Sequence, residues 1–323
     1  MVNIAVDAMG GDNAPEEIVK GALQAVMENK DLTVTLVGDE NKIKPLISKN
    51  KTNRIIIKNA SEVITNNDKP VQAFKEKKDS SMVVGLELVK DNVASAFISA
   101  GNTGALLVSS QFILGKKKGV KRAALAPVLP TKENLSLIID CGANMDSKPE
   151  YLQQFAHIAT DYLRSVYKIK NPTVGIVNVG VEEGKGNALV KETYEILKND
   201  EYINFYGNIE ATDIPNGKVN IVLCDAFVGN VIIKLFEGTA KVFLSELKAT
   251  FMTNIFTKLA AMVIKKPLNS RLERYDVSNI GGAVLLGLNN LVVKVHGNSK
   301  AKDVKIGIRQ CYKYVKNNIN EKF

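Results

Sequence analysis

Two side chains stand where their types could act on a carbonyl or an anion. Lys185 lies between Gly184 and Gly186 in NVGVEEGKGN (178–187), with little bulk beside it, after a predicted strand and ahead of a predicted helix. An ammonium held there meets an anion as a point charge or donates to a developing oxyanion. The competing reading is a solvated loop lysine, with Glu182 and Glu183 either tethering it or facing water. Asn230 occupies a comparable turn, DAFVGNV (225–231), after the apolar stretch VNIVLCD. Its amide could donate to a carbonyl oxygen that is becoming an oxyanion, or it could cap a helix N-terminus. Asp225 could simply orient that turn.

A third loop suits an anion. In SAGNTGA (99–105), Gly101 and Gly104 allow a tight turn, and Asn102 and Thr103 stand at a predicted helix start. Free N–H groups and the helix dipole favour phosphate or carboxylate there, and Asn102 reads equally as an N-cap. The loop matches neither GxGxxG nor a Walker sequence. His296, beside Gly297 in KVHGNSKAKD (294–303), is either a structural imidazole or a functional one. His157 in a helical pattern, and Cys141 and Cys224 at the ends of apolar strands, read as packed residues. There is no GxSxG, no HExxH and no evident pair of catalytic carboxylates, so nothing supports a covalent serine or cysteine mechanism. With two histidines in the chain, no metal is expected.

These loops need a scaffold that brings them together. Short β-branched runs at 2–6, 32–37, 54–57, 94–98, 135–139, 173–177 and 219–223 alternate with longer helical patterns. That alternation predicts an α/β fold, a doubly wound and largely parallel sheet with helices on both faces. DAMGGD (7–12), SAGNTGA, DCGAN (140–144), NVGVEEGKG and DAFVGN then fall after strands, where open α/β sheets bind ligands. Between residues 239 and 266 the pattern changes. Phe243, Leu247, Phe251, Ile255, Leu259 and Val263 recur at helical spacing, joined by Met252, Phe256 and Met262. Such a stripe packs on a core, joins two subunits or lies on a membrane. No linker or repeat divides the chain, so a single unit over 1–323 is expected, with 239–275 as a helical insertion for dimer or membrane contact.

Composition narrows the partners. The 323 residues are 45% hydrophobic and 24% charged, an ordinary globular balance, and the net charge of +9 favours an anionic partner. GKKKGVKR (115–122) is basic but has no interleaved aromatics, and the chain has no Trp, so nucleic acid is not expected. A second basic stripe runs through Lys300, Lys302, Lys305, Arg309, Lys313 and Lys316 in a predicted C-terminal helix. Three cysteines at wide spacing suit a reducing cytoplasm, and MVNIAVDAMGGD does not read as a secretory signal.

Taken in order from about residue 3 to 303, DAMGGD, SAGNTGA, DCGANMD, NVGVEEGKGN, GNIEATD (207–213), DAFVGNV and GGAVLLG…KVHGNSKAKD resemble the bacterial phosphate acyltransferases of phospholipid synthesis. The resemblance implies a homodimer of Rossmann-like subunits, similar in fold to isocitrate and isopropylmalate dehydrogenases and to phosphate acetyltransferases. It implies transfer of a fatty acyl group from acyl carrier protein to inorganic phosphate, without a cofactor, the acyl phosphate then serving a membrane glycerol-3-phosphate acyltransferase. The family's essential lysine and asparagine fall on Lys185 and Asn230. Substrate binding is assigned to Asp7, Gly10, Gly11, Asp12, Ser99, Gly101, Asn102, Thr103, Asn144 and His296. Contact with an anionic membrane or a second subunit is assigned to Phe251, Met252, Ile255, Phe256 and Leu259, which makes the expected location cytoplasmic and peripherally membrane-bound. The chain departs from the family's usual DGFTGN at Ala226 and Val228, and from GGAPLLG at Val284, where a change in loop stiffness is expected. The alternatives are a phosphate acetyltransferase-like enzyme using acyl-coenzyme A, an NAD- and metal-dependent dehydrogenase of the same fold, and a non-catalytic membrane-surface scaffold.

Overall fold

The structure, a computed structural model, describes residues 1–48, 52–272 and 281–319. Its first half alternates β1 (Val2–Asp7), α1 (Glu16–Glu28), β2 (Leu32–Gly38), α2 (Glu40–Ile47), β3 (Ile55–Asn59), α3 (Pro70–Glu76), α4 (Ser81–Lys90), β4 (Ala96–Ser99) and α5 (Thr103–Ile113). Then follow β5 (Ala124–Ala126), β6 (Val128–Pro130), β7 (Leu135–Ile139), α6 (Pro149–Tyr162), β8 (Thr173–Val177), α7 (Ala188–Lys198), β9 (Asn204–Ile209) and β10 (Ile221–Leu223). The last elements are α8 (Ala226–Phe251), α9 (Ile255–Leu272), β11 (Ala283–Leu286), β12 (Leu291–Lys294) and α10 (Ala301–Lys316).

The expected α/β architecture is present, with parallel pairing dominant. The strands form two sheets where one central sheet was expected. The first has the order β3-β2-β1-β4-β12-β11-β5 and the second β6-β7-β10-β8-β9. The five strands from β3 to β12 in the first sheet are mutually parallel, and β11 runs antiparallel to both its neighbours. In the second sheet β7, β10, β8 and β9 are parallel and β6 is antiparallel. The chain passes between the sheets at Pro127, which separates β5 from β6 and lacks the N–H a continuous ladder would use. Its carbonyl accepts from Ile138 N at 3.0 Å, and Leu125 O accepts from Cys141 N at 2.9 Å, so β7 braces both halves of the crossing.

Alternating side chains explain why the strands read as continuously apolar. Ile4, Val6 and Ile98 join the core containing Ile18 and Ala22 of α1 and Val304 and Ile308 of α10. Ala5 and Phe97 point the other way, into the core with Met82 and Leu86 of α4 and Ala105 and Leu106 of α5. The second sheet is likewise covered twice. Leu137, Ile139, Val174 and Leu223 pack with Phe155 and Ala159 of α6, while Ile138 and Val222 form a separate cluster with Val228, Ile232 and Phe236 of α8 packed against it.

The 239–266 region is helical apart from a turn at residues 252–254, and the helix that enters it begins at Ala226. Asn254 restarts the chain as α9, its Oδ1 accepting from Phe256 N at 2.9 Å and Thr257 N at 3.0 Å. Met252, Ile255, Phe256 and Leu259 are exposed, Phe256 by 78%, and Phe251 is half-buried. Residues 273–275 of the expected insertion lie outside the described residues. Among those described, no helix is long and apolar enough to cross a membrane. Val284 is not in a loop: it sits in β11 between β12 and β5, 1% exposed, so it fills a sheet interior and does not alter loop stiffness.

Candidate active site

β1, β4 and β12 are parallel neighbours, so the loops after them open at one sheet edge. Asp7, 2% exposed, ends β1 and organises that edge. Its carboxylate accepts from Ser81 Oγ at 2.6 Å, Ser99 Oγ at 2.7 Å and Met9 N at 3.2 Å. Ser99 Oγ in turn accepts from Gly101 N at 2.9 Å, which bends the 99–102 turn back onto the strand. A Cβ on Gly10 would lie 2.4 Å from Asp7 Oδ2 and 2.8 Å from Gly101 N, so only glycine lets the 7–12 loop approach so closely. The 7–13 loop is also stitched to residues 297–299. Asp12 N donates to Gly297 O at 2.7 Å, and Asn13 Nδ2 to Asn298 O at 2.9 Å and Ser299 O at 3.2 Å.

Asn102 is the N-cap of α5, its Oδ1 accepting from Ala105 N at 3.0 Å. Its Nδ2 points at the carbonyls of Thr65, Asn66 and Asp68, at 3.1–3.5 Å. Both ends of the amide are thus used within the protein. The anion-binding capacity of this turn lies in its backbone: the N–H groups of Asn102, Thr103 and Gly104 have no acceptor among the described residues.

The second cluster follows β7, β10 and β8, again parallel neighbours. Asp140 is fully buried and accepts from the backbone N–H groups of Leu125, Cys141, Ala143 and Asn144 and from Asn144 Nδ2. Burial pushes its carboxyl above the usual range, and the hydrogen bonds from Asn144 and the backbone oppose that. Asn144 Nδ2 also donates to Ala123 O at 2.8 Å, so its amide donor braces the loop and leaves Oδ1 for other uses.

Asp225 caps α8 by accepting from Val228 N at 2.9 Å, which removes the N-cap reading of Asn230. A Cβ on Gly229 would lie 2.0 Å from Asp140 O; glycine therefore sets the first turn of α8 directly on the end of β7. Asn230 follows, half-buried, its amide without a hydrogen-bond partner among the described residues. Lys185 is exposed in the loop between β8 and α7, its ammonium unpaired among the described residues. Glu183 does not tether it: that carboxylate pairs with Lys198 at 3.0 Å and accepts from Tyr194 Oη at 3.0 Å. Lys185 is located instead through its backbone, with Asn178 Nδ2 donating to its carbonyl at 3.1 Å.

One contact ties the two clusters. Glu237 lies seven residues after Asn230, about 10 Å along the same face of α8, and its Oε2 is 3.5 Å from His296 Nε2. The carboxylate raises the imidazole's pKa above its ordinary value, and the imidazole lowers that of the carboxyl. This contact joins α8, which carries Asn230 in its first turn, to the loop after β12. Cys141 and Cys224 are buried, desolvation raising the Cys141 thiol to about 12 and pushing the Cys224 thiol well above its ordinary value, so neither is a ready nucleophile. Sequence reasoning missed Lys294, Glu237 and Ser81. Lys294 alone had a local signal, a charge inside the apolar run LVVKV.

The pattern of the fatty acid synthesis protein family matches residues 2–322. A phosphate acyltransferase from Caldanaerobacter subterraneus subsp. tengcongensis is 48% identical over 318 residues, covering 98% of this chain and 95% of the relative. A phosphate acyltransferase from Clostridium perfringens (strain SM101) is 45% identical over 320 residues, 98% of this chain and 94% of its own. This chain belongs to the phosphate acyltransferase family. It is therefore an enzyme of the acyltransferase class, and the resemblance carried by the loop motifs holds over nearly the whole length. A phosphotransacetylase from Streptococcus pyogenes has a similar fold, with a TM-score of 0.61 at 19% identity, covering 98% of this chain and 94% of that one. That likeness places the acyltransferase fold beside the phosphotransacetylases.

Proposed function

We propose that this acyltransferase moves a fatty acyl group from an acyl-[acyl-carrier-protein] thioester to inorganic phosphate by direct attack, with no acyl-enzyme. A phosphate oxygen forms a bond to the thioester carbonyl carbon, and the carbonyl oxygen becomes an oxyanion. Collapse breaks the C–S bond, and the carrier's pantetheine thiolate leaves and takes up a proton. Phosphate is already an anionic nucleophile at neutral pH, so the site has to position it more than deprotonate it. Lys185 offsets charge repulsion and orients phosphate beside the 7–12 and 99–104 loops. Asn230 donates to the oxyanion.

The observation that carries this reading is a pair of donors without partners among the described residues, Lys185 in the loop after β8 and Asn230 near the start of α8, which follows the neighbouring parallel strand β10. The names of the relatives support the acceptor, and the net charge of +9 suits an acidic carrier. The exposed stripe of α8 and α9 suits reversible attachment to anionic lipid, delivering a labile product to a membrane glycerol-3-phosphate acyltransferase. We assign the chain to the cytoplasm as a peripheral homodimer of one α/β unit. The likeness of fold to a phosphotransacetylase favours a second reading, in which a short acyl-coenzyme A is the donor.

Intact-mass measurement distinguishes the mechanisms. Protein mixed with long-chain acyl-carrier protein alone should keep its own mass and release no carrier thiol, and added phosphate should release the thiol. An acyl adduct on the protein, or thiol release without phosphate, would overturn direct attack. Reaction with acetyl-coenzyme A and none with the carrier would select the second reading.

A further inference from the structure

Lys294 is the buried cation that the mechanism above leaves unused. It ends β12 in register with Ser99 of β4, at the floor of the 7–12, 99–104 and 294–299 loops. Its ammonium donates to Ala100 O at 3.2 Å and to Val295 O. Both acceptors are neutral carbonyls, and no carboxylate forms an ion pair with it among the described residues. The nearest negative charges are Asp7, already holding two hydroxyls and an N–H, and the exposed Asp12.

A buried ammonium is ordinarily paired with an anion, because neutral carbonyls recover only part of its lost hydration. Here one of its three N–H donors is uncommitted. The residue is 8% exposed, so it is enclosed without being sealed off. The N-cap of α5, Asn102, lies two residues after the carbonyl that Lys294 grips, and the N–H groups of the turn it opens have no acceptor among the described residues.

We propose that Lys294 is the inner cation of the phosphate site, its third N–H meeting the reacting phosphate while one of the others holds Ala100 in the turn that presents the α5 backbone donors and the second holds its own loop at Val295. This deepens, and rests on, the reading of the reaction given above. Phosphate would lie between Lys294 on the first-sheet side and Lys185 reaching in from the second. Asp7 and Asp12 prevent the empty site from accumulating uncompensated positive charge.

A pH signature follows from the same geometry. Desolvation lowers the Lys294 pKa to about 8, with Asp7 and Asp12 opposing the shift. Bound phosphate favours the charged form, so the pKa rises on binding and phosphate affinity falls as pH climbs through the free-state value. Phosphate itself is a dianion over that range. The other charged groups on the cleft are His296, Glu237 and Lys234, and His296→Asn controls for the imidazole.

Isothermal titration of the full chain with inorganic phosphate, at constant ionic strength, tests the assignment. For the wild type the dissociation constant should rise about fivefold between pH 8 and 9. Lys294→Met should bind phosphate at least about tenfold more weakly at pH 7, with the KM for the acyl carrier substrate little changed and no slope from pH 8 to 9. His296→Asn should keep the slope. A flat wild-type profile would overturn the inference even where Lys294→Met fails to fold. So would unchanged phosphate affinity in a folded Lys294→Met protein that still makes acyl phosphate, and that result would leave the reaction standing. A wild type that binds phosphate and forms no acyl phosphate would instead remove the reaction, and with it the identity of the anion as a reacting group.

Discussion

Lys185 and Asn230 are asked for different things, and their substitutions should separate accordingly. Asn230→Ala removes a donor to the oxyanion and should lower kcat by roughly 100- to 1,000-fold, about 3–4 kcal/mol, with little change in phosphate KM. Lys185→Ala removes charge that phosphate meets in both ground and transition states, so its loss should fall on kcat/KM for phosphate, again roughly 100-fold. Steady-state kinetics with each substrate varied in turn reads both, and near-full turnover in either variant would remove that residue from the mechanism. Both candidates were legible because a lysine between two glycines and an asparagine after a small-residue turn keep their chemistry whatever the fold. Asn102 and Asn144 show the limit of that legibility. Their motifs mark loops that follow strands, yet their side-chain donors are taken up by the carbonyls of Thr65 and Ala123, partners far away in the chain. Glu237 was illegible for the same reason: only the packing of α8 brings it to His296.

At the scale of elements, strands with several consecutive β-branched residues announced themselves, and all seven expected runs are strands in the structure. The strands that went unread carry weaker local signals. β5 and β6 have three residues each, β9 carries Gly207 and polar residues, and β11 and β12 sit among glycines and asparagines. Their strand identity comes from pairing: β11 is held between β12 and β5, which no local pattern encodes. The α8–α9 pair was legible by periodicity, and its exposure sharpens the prediction. α8 is anchored at Val228, Ile232 and Phe236, whereas Phe243 is 74% and Phe256 78% exposed. Phe256→Glu should abolish co-sedimentation with anionic vesicles and leave the oligomeric state intact in solution. Unchanged vesicle binding together with a broken dimer would assign the stripe to subunit contact instead.

Over the whole molecule, each sheet carries its own loop cluster, one after β1, β4 and β12 and the other after β7, β8 and β10, and the His296–Glu237 pair joins the loop after β12 to α8, which follows β10. The basic balance is less evenly available than composition implied. Lys305 and Arg309 face Glu28, and Lys316 faces Asp31, so the end of α1 and the turn that follows it partly neutralise the α10 stripe that sequence offered as a docking face. A charge count sees the lysines but not the helix packed beside them. The central claim, acyl transfer to phosphate across this cleft, is tested most directly by incubating the purified chain with long-chain acyl-carrier protein, with and without inorganic phosphate, and trapping the product with hydroxylamine. The account predicts acyl hydroxamate above the enzyme-free background from direct attack of hydroxylamine on the thioester, an excess that depends on phosphate and is lost in Asn230→Ala. An excess formed equally without phosphate, or none in a preparation that runs the reverse reaction from synthetic acyl phosphate, would contradict it.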